Sequence, residues 1–430
     1  MLNVEKAMEK IVIASAARTP VGAYLGALSD LPAYVLGALV LSEAVKRAKV
    51  DPARIDEVIM GQSYQSGENV NIARMALLAA GWSVEVPGIT LDRRCCSGLD
   101  AICFAAMKIL AGYAEIVVAG GVESMSRAEL YVPGEYIKKG LGGKTDPKFG
   151  FMPKGHGALP MWGIPFFDRI QRARVMSQPI ERFGELNSMM SWAEIAAKEE
   201  SITREAADRW ALRSQQRACE AVDSGKFRDE IVPIAVPRAK GGPLIIDTDE
   251  PPRHDTSLEQ LAKLPTVYEG GICTAGNSST ENDGAAALVL MTAGRAAGLG
   301  IEPLGELVSF GVGGADPTLT YPAVPTAVKK ALDKAGLTIE EMDLIEIQEA
   351  FAVQLLADAK LLGLSVEDCN RKLNVNGSGV SLGHPIAATG AMRMVTLLHE
   401  MKRRNVRYGL EAICGGGGLG IAAVVSRGTL

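Results

Sequence analysis

Ala44–Met60 reads AVKRAKVDPARIDEVIM, and Ala331–Ile347 reads ALDKAGLTIEEMDLIEI. Laid over each other without a gap, at a shift of 287 residues, Ala44, Ala48 and Asp56 fall on Ala331, Ala335 and Asp343. Val45, Arg47, Val50 and Ile55 fall on Leu332, Lys334, Leu337 and Met342. Each stretch reads as the end of a helix, a turn and a strand in the same phase. Three identities in seventeen positions are weak alone. The shared phase decides for an internal duplication.

Working outward, the first copy sits in an alternation of short β-branched runs and helical segments. Lys10–Ser15, Glu57–Met60, Gly88–Leu91 and Glu115–Ala119 read as strands, and Leu36–Lys49, Asn69–Ala80 and Ser97–Ala111 as helices. Around the second copy, Pro325–Ala335, Glu349–Lys360 and a segment from about Pro385 to Met401 read as helices, with strands at Leu344–Ile347 and Tyr408–Cys414. The pattern predicts an α/β fold with a mostly parallel sheet between helices. Two such halves packed together create a seam, and sites in these sheets lie at strand C-termini and helix N-termini.

Between the halves, roughly Glu123–Cys273, the sequence changes character. Tyr131–Asn187 is rich in Gly, Pro and aromatics and holds five of the nine Phe: Phe149, Phe151, Phe166, Phe167 and Phe183. Long irregular stretches of this kind are usually binding segments or lids. Glu194–Ser224 reads as helix, with Thr203, Glu205 and Asp208 offering a start signal.

Composition excludes several classes. Hydrophobic residues are 47% and charged residues 22% of the 430, which rules out disordered and collagen-like chains. The net charge of −5 argues against nucleic acid as a partner. Apolar runs such as Ala285–Met291 fall well short of the roughly 18–20 residues of a membrane span. The N-terminal MLNVEKAMEK is neither a signal peptide nor an Arg-rich transit segment. Seven cysteines, an odd number, do not suggest a disulfide framework, so the reading is a soluble, cytoplasmic protein. The 47 glycines are clustered, which marks sharp bends or close approaches of backbone.

Three glycine-flanked stretches carry the candidate chemistry. In LDRRCCSGL (Leu91–Leu99), Cys95 or Cys96 stands where a strand ends and a helix begins, after Arg93 and Arg94. Helix N-terminal N–H groups and cations favour a thiolate, the form that attacks. The plainer alternative is a small buried Cys that only packs. In NVNGSGVSLGHPIAATG (Asn374–Gly390), glycine-broken backbone leads to His384, and Pro385 suits a first helical turn. A neutral His there can be a general base or a satisfied structural group. In ICGGGGLG (Ile413–Gly420), Cys414 closes a strand before four glycines whose N–H groups can approach a reacting oxygen. A phosphate cradle lacks its Lys-Ser/Thr, and Ile421–Val425 reads as strand rather than the helix a dinucleotide fingerprint needs. A metal site from Cys95, Cys96, His384 and Cys414 lacks the usual C-x₂₋₄-C spacing, so no metal is assigned. Two Cys and one His at strand junctions of two similar halves suit acyl transfer through a thioester.

With these motifs the chain resembles the thiolase family, the acetyl-CoA C-acetyltransferases and 3-ketoacyl-CoA thiolases, over nearly its whole length. Thiolase-like text also stands at RTPVGAYLGALSD (Arg18–Asp30), VVAGGVESMS (Val117–Ser126) and DRWALRSQQRACEAVDSGKF (Asp208–Phe227). It continues in DEPPRHDTSLEQLAKL (Asp249–Leu264), TAGNSSTENDGAAALVLM (Thr274–Met291) and QEAFA (Gln348–Ala352). The resemblance implies two βαβαβαββ halves in a five-layered α-β-α-β-α arrangement with an inserted loop domain. The halves would be residues 1–122 with 278–305 and residues 306–430, with 123–277 as the insertion that binds coenzyme A and the acyl chain.

Carried over by position, the resemblance makes Cys95 the nucleophile, His384 the group that activates it, and Cys414 the thiol that moves the proton at C2 of the acyl chain. One oxyanion hole would be His384 with a water held by Gln348, the other the backbone N–H groups of Cys95 and Gly416. Coenzyme A contacts would fall on Arg253, Ser279 and Met189. Coenzyme A is implied as a substrate with no permanently bound cofactor, its acyl thioesters as partners, and a homodimer or homotetramer as the assembly. An accessory subunit is compatible with the resemblance. Two departures stand out: the family's Asn in NEAF is Gln348 here, and Phe149–Phe183 is longer than the family's loop. Both are expected to fit a bulkier acyl group. The rivals are a decarboxylating ketoacyl synthase, disfavoured because the third partner is Cys414, and an altered thiolase-like protein that binds CoA or lipid without chemistry.

Overall fold

The computed structural model describes residues 9–133, 158–161, 164–184, 189–238 and 240–427. Phe149 and Phe151 of the Phe-rich stretch lie outside the described residues. The first half runs β1 (Ile11–Arg18), α1 (Ala33–Ala48), β2 (Glu57–Gly61), α2 (Ile72–Ala79), β3 (Gly88–Leu91), α3 (Ser97–Leu110) and β4 (Ile116–Ser124). The inserted region contributes α4 (Arg169–Val175), α5 (Met189–Glu199) and α6 (Arg204–Asp223), and β5 (Asn282–Thr292) then completes the half. The second half runs β6 (Gly305–Gly314), α7 (Ala323–Ala335), β7 (Leu344–Ile347), α8 (Ala352–Leu361), α9 (Thr389–Arg404), β8 (Tyr408–Gly415) and β9 (Leu419–Ser426).

The duplication holds in detail. α1 ends at Lys49 and α7 at Gly336, each in the left-handed conformation with φ of 55° and 66°, and β2 and β7 follow at the same spacing. Lys49 therefore accepts strain that Gly336 avoids. The second half departs in one place. The counterpart of β3 is a single parallel bridge, Ile345 with Leu373, where its equivalent Val58 has a full strand beside it.

The main sheet has the order β7-β8-β9-β6-β1-β5-β4-β2-β3. Its centre is the antiparallel pairing of β1 with β6 (Ile11 with Leu307, Ile13 with Gly305), and the two wings mirror each other about it. The expectation of a mostly parallel sheet is corrected. β2 runs parallel to β3 and β4, and β7 to β8, but the remaining main pairings are antiparallel. The reason is connectivity: β9 follows β8 through a tight glycine turn, and such a hairpin can only be antiparallel.

Alternation along each strand builds the layers. On β5, Ala285, Ala287, Val289 and Met291 pack with Leu36, Val40 and Leu77 of α1 and α2, while Ala286, Leu288 and Leu290 pack with α3 and α9. On the other wing, Ile413, Ile421, Ala423 and Val425 face the same central helices, while Ala412, Ala422 and Val424 face α7 and α8. The result is five layers: α1/α2, one wing, α3/α9, the other wing, α7/α8. Each fully buried Leu, Ile or Val contributes about 1.5–3 kcal/mol.

Two boundaries differ from expectation. Glu194–Ser224 is not one helix: α5 and α6 are separated at Glu200–Thr203, where Ser201 has φ of 56° and Thr203 Oγ1 caps α6 by accepting the Ala206 N–H. The helix expected from Pro385 begins instead at Thr389, because Ile386–Ala388 form a tighter 3₁₀ turn first.

Candidate active site

The β3–α3 connection is a sharp elbow. Arg94 has φ of 54°, a conformation that costs a non-glycine residue about 1–3 kcal/mol. Side chains hold it there. Asp92 Oδ1 accepts the Arg94 N–H, and Ser97 Oγ accepts the Arg93 N–H at 2.7 Å while donating to the Arg94 carbonyl at 2.6 Å. The elbow separates the two cysteines. Cys96 turns into the central core and its thiol donates to the Ile413 carbonyl at 3.5 Å. Cys95 stays half-buried, and the backbone N–H groups of Gly416 and of Cys95 itself come near enough to its sulfur to favour the thiolate. Burial pushes the Cys95 thiol up to about 11, against the opposing pull of the Gly416 N–H and Arg94. The thiolate expected from the helix start is therefore outweighed at rest, and attack requires a base.

His384 is held on three sides. Its backbone N–H donates to Asn282 Oδ1 at 2.8 Å, its Nδ1 pairs with Thr389 Oγ1 at 2.7 Å, and its strand-like backbone bridges Glu281. Gly383 before it has φ of 81°, and a Cβ there would stand 2.4 Å from Asn282 Oδ1, so only glycine fits. Burial, with Arg393 and then Arg174, lowers the imidazole to about 3, so it is neutral at physiological pH. In the tautomer that donates Nδ1–H to Thr389, Nε2 carries the free lone pair. Both groups are thus neutral at rest rather than held as an ion pair.

Cys414 is buried near the end of β8. Burial raises its thiol well above the ordinary range, and the Cys95 sulfur is the next largest influence, which brings the two thiols into one electrostatic neighbourhood. The glycine turn after it needs glycine: Gly417 and Gly418 have φ of 88° and 79°, and a Cβ on Gly418 would meet the Ala315 carbonyl at 2.2 Å. Gly416 lies against Met189 of α5, whose sulfur a Cβ would approach to 3.1 Å.

Gln348 follows β7, fully buried, with its backbone N–H on the Ala412 carbonyl. Its amide packs against Gly379, and neither Oε1 nor Nε2 has a hydrogen-bond partner among the described residues. Buried amides in this state are suited to an ordered water or a substrate oxygen. The neighbouring Glu349 is its opposite, accepting from Trp210 Nε1 (2.9 Å), Ser214 Oγ (2.6 Å), Asn374 Nδ2 (2.9 Å) and the Val380 N–H (3.2 Å).

Ser279 donates its backbone N–H to the Ala350 carbonyl, which seats the approach to β5 beside the Gln348 segment. Arg253 is placed differently. It is exposed, its N–H donates to Gln215 Oε1 on α6, and it lines a cavity of about 560 Å³ with Gln215, Gln216, Cys219, Asp223 and His254. Cys95 is not part of that cavity's lining. Among the described residues, no three His, Cys, Asp or Glu side chains are grouped to hold a metal ion.

The groups that hold the reacting residues escape one-dimensional reading. Thr389 and Asn282 orient His384, and Glu123, itself buried, accepts the N–H groups of Ser63, Tyr64 and Ala387 and ties the His384 loop to β2. α4 crosses the elbow, its Ala173 carbonyl accepting from Arg94 and its Arg174 paired with Glu281 at 2.7 Å. Tyr64 packs below with Met125 and Ile170, and its phenol is raised by burial and feels Arg174 and the Cys95 sulfur. Only Thr389, five residues beyond His384, carried a local signal, its place in the first helical turn.

The family model described as thiolase, N-terminal domain matches residues 11–294, and that described as thiolase, C-terminal domain matches residues 301–427. A protein of Pseudomonas aeruginosa named acetyl-CoA acetyltransferase is 41% identical over 98% of this chain and all of its own length. A protein of Staphylococcus aureus named probable acetyl-CoA acyltransferase is 38% identical over 98% of this chain and all of its own length. The crystal structure of the Bacillus anthracis acetyl-CoA acetyltransferase superposes with a TM-score of 0.87 at 39% identity, covering 98% of this chain and 99% of that one. With two family domains end to end and a matching five-layered fold, the chain belongs to the thiolase family.

Proposed function

We propose that Cys95, His384 and Cys414 carry a two-step Claisen cycle on 3-ketoacyl-CoA. As a member of its family the chain is a CoA-dependent acyltransferase. The observation that carries the assignment is the convergence of the Cys95 and Gly416 N–H groups on the Cys95 sulfur, with Cys414 in its electrostatic reach. In the cleavage direction His384 Nε2 takes the Cys95 proton and the thiolate attacks the 3-keto carbon, its oxyanion facing those two N–H groups. The C2–C3 bond breaks, and Cys414 gives its proton to C2 of the departing acetyl-CoA enolate. Free CoA gives its thiol proton to the His384/Cys414 pair, where Cys414 is the thiolate, and takes the acyl group from Cys95, whose released thiolate recovers the proton held by His384. Condensation is the reverse path.

In the same reading His384 and a water on Gln348 hold the thioester oxygen. The insertion 123–277 serves coenzyme and acyl binding between the halves 1–122 with 278–305 and 306–430. Met189 and Ser279 flank the pantetheine, and Arg253 with its cavity takes the nucleotide end of coenzyme A, a volume within the range of ligand sites. Coenzyme A enters as substrate, and no group is held permanently. The unpaired cysteines support a reducing, cytoplasmic setting, and among the described residues no helix is long and apolar enough to cross a membrane. β3, at the end of the sheet with one neighbour only, supports a homodimer or homotetramer.

The acyl group is proposed to be bulkier than acetoacetyl. The support shifts from the Phe-rich stretch, where Phe167 stacks on Tyr131 at 5.6 Å, to the apolar cluster of Tyr64, Met125 and Ile170 beside the elbow. The test is kcat/KM for acetoacetyl-CoA against longer, branched and aryl 3-ketoacyl-CoAs, in wild type, Gln348→Asn and Tyr64→Leu. Such a pocket discriminates by about 1–3 kcal/mol per methylene-sized difference. A clear preference of all three proteins for acetoacetyl-CoA would leave an ordinary acetoacetyl-CoA thiolase.

A further inference from the structure

Glu346 on β7 and Glu411 on β8 are register partners on neighbouring parallel strands. Their neighbours Ile345, Ile347, Leu410 and Ala412 face the outer layer, so both carboxyls point into the central layer. There they are 3% and 1% exposed, beside Arg393 of α9 at 4%. Among the described residues, Glu346 Oε2 and both oxygens of Glu411 have no hydrogen-bond partner, nor has Arg393 Nε. Arg393 Nη2 donates to the carbonyl of Gly383 at 3.1 Å, immediately before His384. Glu346 stands two residues before Gln348, and Glu411 three before Cys414. The three segments that deliver His384, Gln348 and Cys414 thus meet at one buried charge cluster.

We propose that Arg393, Glu346 and Glu411 are positioning residues for acyl transfer: the guanidinium of Arg393 offsets, through space, the charge of the two carboxyls, one of which keeps its proton, and the neutral cluster fixes the Gly383 turn and with it the imidazole of His384. The proposal rests on His384 being the base. Two ionised carboxylates side by side against one guanidinium are unfavourable in a buried layer, so one of them keeps its proton. Burial carries Glu346 up to about 8, with Arg393 opposing, and burial with the Glu346 carboxyl beside it raises Glu411. The other charges that reach the cluster are Glu349 after β7, Glu400 of α9, and the buried Arg18–Glu230–Asp249 set from β1 and the insertion. His384 is faced by Arg393 and by Arg174, the latter paired with Glu281.

The experiment follows single-turnover acylation of Cys95 by acetoacetyl-CoA against pH in wild type, Arg393→Met, Arg393→Lys and Arg393→Met/Glu346→Gln. Arg393→Met is expected to slow acylation by up to about 100-fold, the cost of a displaced reacting group, with CoA affinity unchanged. Its acid limb should move to higher pH, and Arg393→Lys should restore part of the rate. Where Arg393→Met does not fold, the double variant, which leaves no unpaired Glu346 charge, supplies the same readings. Infrared spectra of the wild-type enzyme at neutral pH should carry a carboxylic acid band that diminishes in Glu411→Gln. An unchanged rate and pH profile in a folded Arg393 variant, or a spectrum indifferent to Glu411→Gln, would overturn the proposal. His384→Ala separates the two levels. Retained acylation there removes His384 as the base, whereas lost acylation with unaffected Arg393 variants removes only the cluster.

Discussion

The backbone N–H of Gly416 comes near enough to the sulfur of Cys95 to favour its thiolate. One residue lies in the β8–β9 turn of the second half and the other in the β3–α3 elbow of the first, more than 300 positions apart in sequence. The approach spans the seam between the duplicated halves. It requires Arg94 to accept a strained φ and the glycine turn to bend where no other residue fits.

Acylation should fall on Cys95 alone. Cys96 is buried with its thiol on the Ile413 carbonyl, so it has no path to a substrate carbon. Peptide mass mapping after incubation with acetoacetyl-CoA checks this. Acyl-Cys96, with Cys95→Ala still active, would reverse the assignment.

Cys414→Ala should abolish proton exchange at C2 of acetyl-CoA while leaving Cys95 open to acylation by an activated thioester, because the carbon acid needs the second thiol whereas an activated leaving group departs without a proton. His384→Ala should reduce both by roughly 10²–10⁴-fold, the usual weight of a general base. Equal loss of acylation in the two variants contradicts the division.

Iodoacetamide labelling of Cys95 should accelerate steadily from pH 7 to pH 10 without a plateau, since burial holds the thiol near 11. A plateau below pH 8 would show a preformed thiolate instead. Acetoacetyl-CoA should protect the same cysteine.

Stability should fall as pH drops below about 6.5. His384 titrates near 3 when folded and near 6.5 when unfolded, so between these values the unfolded chain binds more protons and acid favours it. The contribution is complete above pH 6.5 and is lost toward pH 3, on the order of 4–5 kcal/mol in full. Urea unfolding at pH 7.5 and pH 5.5 should show a smaller difference in His384→Gln than in wild type. His399, lowered to about 4 by burial, adds to the slope in both proteins.

Glu349→Ala should cost about 3–5 kcal/mol, because it leaves Trp210, Ser214, Asn374 and the Val380 N–H without their shared acceptor. Glu349→Gln should cost less. Denaturant midpoints decide the order, and a Glu349→Ala protein as stable as wild type would remove the hub.

Local periodicity and short motifs were enough to find the two halves and to single out the Cys95–Cys96 pair, His384 and Cys414 as candidates. Both are properties of consecutive residues: the helix and strand periods, and the glycines that a tight turn demands. Which neighbouring cysteine faces the cleft depended on one strained φ at Arg94, and strand direction depended on where β5 and β9 insert. The neutral state of His384 and the raised Cys95 thiol come from burial and from charges on distant segments, notably Arg393 and Arg174. Glu346 and Glu411 sit 65 positions apart and read as two ordinary acids until parallel register sets them side by side. Desolvation and through-space charge act over ångströms rather than residues, so only the folded chain decides them.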